Sequence, residues 1–182
     1  FDHEAIVKAS DSTLVITSEG YCRLKEYPVL PTSANAPKVG YQQNLWESRW
    51  SSSDFYPNYN FESLAFDSIR QYLWTIPEST FRKDGQPATP QNGLANQLRL
   101  MRLDWGKMKE NRNKEEYSEQ VSSKKDSRYM TLYAYQMDQP STHKKADIYV
   151  MGVSELCALP DGQLLVLERE AFIPKVKIGA FC

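Results

Sequence analysis

Three times along this sequence, two short strand-like runs flank a polar turn. The copies span residues 4–19, 61–78 and 153–168. The third contains the clearest turn, Pro160, Asp161 and Gly162, because proline fixes φ and glycine accepts a positive φ. Runs rich in β-branched and aromatic residues on both sides of such a turn are typical of β-hairpins. Each copy therefore predicts a hairpin.

The second strand of each hairpin is almost continuously apolar and runs into a glutamate, namely Glu19, Glu78 and Glu168. A strand that is apolar on both faces belongs between stacked sheets. Further strand candidates follow the hairpins at residues 21–27, 96–105, 129–138 and 175–181. A hairpin with one or two outer strands is the content of a β-propeller blade. The sequence therefore predicts an all-β, propeller-like domain over residues 1–182, with four-stranded antiparallel blades.

About three blades make only part of a ring, because propellers have four to eight. An open arc leaves unpaired strand edges, which favour aggregation unless they are covered. Two arrangements solve this problem: further blades lie outside this sequence, or a second copy completes the ring as a homodimer. The first is favoured. The chain begins at Phe1 without an initiator methionine or a signal peptide and ends in strand-like sequence, which indicates a part of a longer chain or a mature form after processing.

Long insertions separate the hairpins at residues 28–60, 82–93 and 106–128. The last carries mixed charges and predicts a solvated loop or a short exposed helix. The first is rich in aromatic residues, which either pack over the core or line a ligand pocket, and core packing is favoured. Its aromatic residues include Trp46, Trp50, Phe55, Tyr56 and Tyr59.

The composition excludes several classes of protein. The 182 residues carry a formal net charge of -1, whereas nucleic-acid binding relies on concentrated positive charge. No apolar run approaches the ~20 residues of a membrane-spanning helix. The three cysteines, Cys22, Cys157 and Cys182, are too scattered for a disulfide framework or a zinc site. One bridge with one free thiol, or three buried thiols, both remain open.

Residues 60–66, 73–79 and 153–169 resemble the esterase-like phytase family. The first segment has an acidic strand start at Glu62, the second runs into Glu78, and the third joins a hairpin to Glu168 and Arg169. The resemblance spans nearly the whole chain apart from the charged insertion. It implies a bacterial, secreted or periplasmic propeller that hydrolyses esters or phosphate esters.

Glutamates recur at equivalent strand ends, and equivalent positions of successive blades converge on the central channel of a propeller. Carboxylates drawn together there would repel one another unless a cation lay between them, and Ca²⁺ suits oxygen ligands of tolerant geometry. We predict hydrolysis by a metal-bound water, with arginines clamping the substrate's oxygens. The predicted metal ligands are Glu4, Glu19, Glu62 and Glu78, the catalytic residues are Glu62, Glu78, Glu168 and His3, and the substrate-binding residues are Arg23 and Arg169.

Two alternatives stand beside this hypothesis. The glutamates are structural if they pair with arginines between blades, as Glu168 with Arg169 or Glu78 with Arg82. The protein is a non-catalytic binding module if the aromatic insertion recognises a glycan, a peptide or a protein. Serine-hydrolase chemistry is poorly supported, because residues 152–156 lack the last glycine of a G-x-S-x-G elbow. A buried thiol is the default for Cys22 and Cys157 in their strands.

Overall fold

The computed structural model describes residues 3–18, 23–30, 38–39, 43–47, 50–114 and 126–174. Within this part of the chain the fold is all-β, with three antiparallel sheets and one α-helix. No helix in the described ranges is both long and apolar enough to cross a membrane. The predicted all-β class is confirmed.

The first sheet contains the first predicted hairpin, which is formed by β1 (His3–Ser10) and β2 (Thr13–Ser18). Strand β3 (Arg23–Leu30) pairs with β2, and both β4 (Lys38–Val39) and β5 (Gln43–Glu47) pair with different parts of β3. At the hairpin turn, the Ser12 backbone N–H donates to Ser10 Oγ over 3.2 Å. Short hydroxyl side chains at a turn satisfy the backbone groups that the strands leave unpaired.

The second sheet is a four-stranded meander of β6 (Ala65–Asp67), β7 (Tyr72–Thr75), β8 (Gln97–Asp104) and β9 (Met130–Gln136). The second predicted hairpin turns at Asp67, whose Oδ1 accepts from the backbone N–H groups of Ile69 and Arg70. Helix α1 (Trp105–Lys114) follows β8, and a short 3-10 helix, Asp126–Tyr129, precedes β9. The first part of the charged insertion is thus a helix, anchored in the core by Trp105 and Met108.

The third sheet is the third predicted hairpin, formed by β10 (Ala146–Ala158) and β11 (Leu164–Pro174). Both strands extend beyond the predicted boundaries, and the register shifts between Val153 and Glu155. Cys157 is exposed on β10 with a free thiol, so the predicted burial is wrong for this residue. The strand predicted at residues 175–181 lies outside the described residues.

Two hydrophobic cores place the second sheet in the middle. Val15 and Leu24 of the first sheet pack with Leu73 and Met101 of the second. On the other side, Ala65, Ile76 and Leu98 pack with Met151, Val153 and Leu156 of the third sheet. This explains the doubly apolar second strand of the hairpin, because β7 has a core on each face. Each fully buried aliphatic side chain contributes about 1.5–3 kcal/mol.

The aromatic insertion contributes to the first core. Trp50 and Phe55 are buried there. The centroid of the Phe55 ring lies 5.4 Å from that of Phe61 and 4.6 Å from that of Phe81. Core packing is therefore confirmed for these two residues. Strand β5 places the backbone of Trp46 beside Leu24 of β3.

Candidate active site

A cluster of two carboxylates and one guanidinium joins the second and third sheets. Arg169 Nη2 lies 2.6 Å from Glu78 Oε1 and 3.0 Å from Glu62 Oε2, and its Nε donates to Glu78 Oε1 over 3.2 Å. The Glu78 side chain is 1% exposed, that of Glu62 is 16% exposed and that of Arg169 is 47% exposed. The cluster is thus buried at Glu78 and open to solvent at Arg169.

Backbone hydrogen bonds hold the cluster in place. The Glu78 N–H donates to Asn60 O over 2.7 Å, and the Val153 N–H donates to Glu78 O over 2.9 Å. An isolated bridge between Phe61 and Pro77 keeps the two glutamate-bearing segments side by side. Glu78 is therefore fixed between the strand start at residues 60–62 and strand β10.

Gly152 makes room for Glu78. It lies directly opposite Arg169 in the β10–β11 register. A Cβ atom at this position would come within 2.3 Å of Glu78 Cγ and 2.6 Å of Glu78 O. Because the second of these is a backbone atom, no larger residue fits without moving the strand, and close backbone approach is one of the uses of glycine inside a strand.

The electrostatics favour the protonated form of the Glu62 carboxyl group. Burial, together with the charge and hydrogen bond of Glu78, raises the pKa of Glu62 to about 7, and Arg169 opposes the shift. Glu78 Oε2 is buried and accepts no hydrogen bond from the described residues. If Glu62 is protonated, its carboxyl group can donate a hydrogen bond to this oxygen. The hydrogen bond to Glu78 also raises the pKa of Arg169, which stays charged.

An open cleft of about 590 Å³ is lined by Tyr59, the residue before Asn60, whose carbonyl accepts the hydrogen bond of the Glu78 N–H. Its walls come from the two insertions at residues 28–60 and 82–93, and they comprise Tyr56, Tyr59, Gln86, Pro87, Thr89, Gln91 and Asn92. Burial raises the pKa of Tyr59, and the negative charge of Glu78 raises it as well, with Arg169 opposing. Tyr59 therefore connects the cleft with the cluster.

Glu168 lies elsewhere, although it is next to Arg169 in sequence. It accepts from Tyr135 Oη over 2.6 Å and from the Asp138 N–H over 3.1 Å, and burial together with this contact raises the pKa of Tyr135. Successive residues of a strand point to opposite faces. The predicted pair of Glu168 with Arg169 is therefore wrong.

The second predicted ion pair is not formed either. Arg82 Nε donates to Phe55 O over 2.6 Å, and its guanidinium lies 4.8 Å from the centre of the Tyr56 ring. Glu78 binds Arg169 instead. Sequence proximity suggested the wrong partner in both cases, because the cross-sheet contact joins residues 91 positions apart.

The other predicted site residues belong to the first sheet. His3 and Glu4 begin β1, where the His3 ring packs edge-on against Tyr27 with centroids 6.3 Å apart. Arg23 begins β3, opposite Ser18 and Glu47. Glu19 lies outside the described residues, so its role as a metal ligand stays a prediction.

The described residues do not form the predicted calcium site. No group of three or more His, Cys, Asp or Glu side chains suited to a metal occurs among them. Glu62 and Glu78 are close together, but the Arg169 guanidinium already supplies their counter-charge. Since Ca²⁺ takes six to eight oxygen ligands, this pair alone does not suit it, and calcium stays a prediction.

Sequence reasoning identified Glu62, Glu78 and Arg169 but missed Gly152 and did not assign Tyr59 to the site. The signal for Gly152 was present, because an isolated glycine inside a strand indicates close backbone approach. Tyr59 carries no such signal, since a tyrosine in a loop packs or binds according to the tertiary fold.

Comparison with known proteins agrees with the sequence resemblance. No curated protein and no solved structure matches this chain. The model of the Phytase-like family, described as esterase-like activity of phytase, matches residues 1–178. The chain therefore belongs to the Phytase-like family.

Proposed function

We propose that the chain carries the catalytic centre of a hydrolase that acts on esters or phosphate esters. Glu62 is the general base and Arg169 stabilises the negative charge that develops on the substrate. The observation that carries this proposal is the Glu62–Glu78–Arg169 cluster, in which a carboxyl group with a pKa of about 7 lies beside a partly exposed guanidinium. A pKa near the working pH is optimal for proton transfer.

The proposed reaction needs only water and these side chains. Ionised Glu62 removes a proton from water, whose oxygen attacks the carbonyl carbon or the phosphorus of the ester. Arg169 Nη1 donates no hydrogen bond to the described residues, so it is free to bind the developing oxyanion. Protonated Glu62 then returns its proton to the leaving alcohol oxygen as the ester bond breaks.

Glu78 acts as a positioning residue in this scheme. It is buried, its Oε1 receives two donors of Arg169, and its negative charge contributes to the raised pKa of Glu62. Glu168 takes no part, because it binds Tyr135 on the other face of β11. The roles of His3 and Arg23, and the secreted or periplasmic location, stay predictions.

The three sheets are consecutive blades of an incomplete propeller in this proposal. Strand β6 contacts both β1 and β10, so the first strands of the three sheets are neighbours, as innermost strands are around a propeller axis. The second sheet is a four-stranded meander, as a blade is. The face of the third sheet that carries Arg169 also exposes Ile148, Leu165, Leu167 and Ile173, which supports a further blade beside it.

A binding module is the second candidate, and the cleft beside Tyr59 favours it. Trp50 is 5% exposed and packs in the core, so it does not serve as a recognition surface. Tyr56 and Tyr59 line the cleft instead. In this case ligand binding persists when Glu62 is neutralised.

The experiment measures hydrolysis of p-nitrophenyl acetate and p-nitrophenyl phosphate by the full-length protein. Glu62→Gln is expected to lower kcat/KM at least about 100-fold, which is the usual contribution of a general base. Glu110→Gln, at an exposed position of α1, is the matched control and is expected to keep full activity. Equal activity of the two variants would reject Glu62 as the base.

The same assay tests the calcium prediction. Added Ca²⁺ followed by excess chelator distinguishes a metal-dependent from a metal-independent reaction. Loss of activity with the chelator would support calcium ligands that include Glu19 and Glu4. Unchanged activity would leave the Glu62–Glu78–Arg169 cluster sufficient for the reaction.

A further inference from the structure

Resting on the proposed function, we infer that the substrate is an uncharged carboxylic ester that carries a hydroxyl-rich group, such as a sugar ring, and that this group binds in the cleft beside Tyr59. Two independent features support this substrate class. One is the charge of the catalytic cluster and the other is the chemistry of the cleft walls.

The charge of the cluster disfavours phosphate esters. Two carboxyl groups face one guanidinium, so the net charge is -1 when Glu62 is ionised, which is the form that acts as the base. Two like charges 4 Å apart repel each other by about 4 kcal/mol at an effective dielectric constant of 20. A phosphate monoester dianion meets this repulsion, and a polyphosphate meets more of it, whereas a neutral ester does not.

The walls of the cleft are neutral and polar. Its lining contains tyrosine, glutamine, asparagine, threonine and proline side chains, and no Lys, Arg, Asp or Glu is among the lining residues that the structure describes. A volume of about 590 Å³ lies within the range of small-molecule sites. Such walls recognise hydroxyl and amide groups by hydrogen bonds and have no counter-charge for an anion.

The cleft has a rigid wall and adaptable donors. Tyr56 Oη donates to Gly85 O over 2.8 Å, and the Asn92 side chain accepts from the Thr89 N–H and donates to Pro87 O. In contrast, the side chains of Gln86 and Tyr59 make no hydrogen bond with the described residues. Amide and phenol groups both donate and accept, as sugar hydroxyls do.

Two cationic residues near the cleft support its walls from outside. The Arg82 guanidinium stacks on the Tyr56 ring and donates to Phe55 O. The carbonyl of Lys144 accepts from Gln91 Nε2 over 3.4 Å, while the residue itself is exposed. Neither residue is among those that line the cleft, so neither supplies a phosphate-binding wall.

The test compares three substrates of the full-length protein: methyl 6-O-acetyl-glucoside, p-nitrophenyl acetate and phytate. We expect the sugar ester to have the highest kcat/KM, and phytate to release no phosphate above background. Tyr59→Phe and Gln86→Ala are each expected to lower the ratio of kcat/KM for the sugar ester to that for p-nitrophenyl acetate about 10-fold, the effect of one lost hydrogen bond. Tyr133→Ala is the control, since Tyr133 lines a neighbouring cleft that shares Gln86 with this one but does not include Tyr59; it is expected to leave this ratio unchanged.

The outcomes separate this inference from the proposed function. Faster hydrolysis of phytate than of the sugar ester, or an unchanged ratio in both cleft variants, would overturn the inference while the hydrolase stands. If no ester is hydrolysed, the proposed function fails, and binding of unacetylated methyl glucoside is measured by saturation-transfer NMR. Binding that Tyr59→Phe weakens would then support the sugar site, and absence of binding would overturn it.

Discussion

The Glu62 carboxyl group links the pH of the solution to the stability of the fold. Its pKa is raised from 4.5 to about 7, so the folded state favours the protonated form. The stabilisation is complete below about pH 4.5 and is lost as the pH rises through about 7. Stability near this residue is therefore highest on the acidic side of neutrality.

We expect Glu62→Gln to remove this dependence, because the amide imitates the protonated carboxyl group. Between pH 4.5 and 8, the free energy of unfolding of the parent protein should fall relative to the variant by about 1–2 kcal/mol. One pKa unit corresponds to ~1.4 kcal/mol. The expected difference is smaller than this relation gives for the shift of Glu62, because water screens the partly exposed group. Urea unfolding at both pH values measures the difference. The same change of unfolding free energy with pH in both proteins would contradict a raised pKa of Glu62.

Arg169 compensates the charge of two glutamates, one of them almost completely buried. Arg169→Met leaves these carboxyl groups without their cation, and we expect a destabilisation of about 3 kcal/mol at pH 8. The loss should be smaller at pH 5, where Glu62 takes up a proton. Thermal unfolding at the two pH values measures both effects.

Arg99→Met is the matched control, because Arg99 forms a two-donor pair with Asp84, whose side chain is 25% exposed against 1% for Glu78. Its expected cost is about 0–1 kcal/mol. Equal losses of unfolding free energy in the two arginine variants would show that the burial of Glu78 does not determine the cost of removing its cation.

At the scale of strands, β10 approaches Glu78 so closely that only glycine fits at position 152. We expect Gly152→Ala to destabilise the protein by about 1–3 kcal/mol, as overpacking does, and to reduce ester hydrolysis because Glu78 is displaced. Circular dichroism melting and the ester assay measure the two effects.

Gly106→Ala is the control for this change. The nearest atom to a Cβ at Gly106 is Gln71 Cβ at 3.4 Å, an ordinary contact, and alanine suits a helix better than glycine. This variant should be as stable as the parent or slightly more stable. A Gly152→Ala variant with parent-like melting and activity would mean that the strand moves without cost.

The sequence predicted the hairpins and most outer strands but not the neighbours of their charged residues. Turn residues such as Pro160 and Gly162 act locally, so they determine where a hairpin turns. The pairing of Arg169 with Glu78 depends on how two sheets pack, and no local pattern encodes it. For the same reason, Glu62 and Glu78 were found by their repeated positions, whereas the Tyr59 cleft emerged only from the packing of two insertions.

For the molecule as a whole, the third sheet exposes an apolar face with Leu165 55% and Leu167 60% exposed. A face of this kind marks an interaction surface, and the blade arrangement assigns it to a neighbouring blade. We expect the 182-residue chain alone to self-associate and Leu165→Lys/Leu167→Lys to reduce this without lowering the melting temperature. Light scattering after gel filtration measures the change.

The form of the self-association distinguishes the two ring arrangements. Heterogeneous oligomers that the lysines disperse would support blades contributed by further sequence. A discrete dimer that the lysines convert to monomer would support two copies that complete one ring. If the parent chain is monomeric at tens of micromolar, this contradicts the proposal that a further blade covers the apolar face of the third sheet.

The central claim is that Glu62 works as a base beside Glu78 and Arg169, and the pH dependence of kcat/KM tests it most directly. For p-nitrophenyl acetate and the full-length protein, we predict that kcat/KM rises with pH through an apparent pKa of about 7. This rise should be absent in the residual activity of Glu62→Gln. The same rise in that variant, or a parent profile with no transition between pH 6 and 8, would contradict the account.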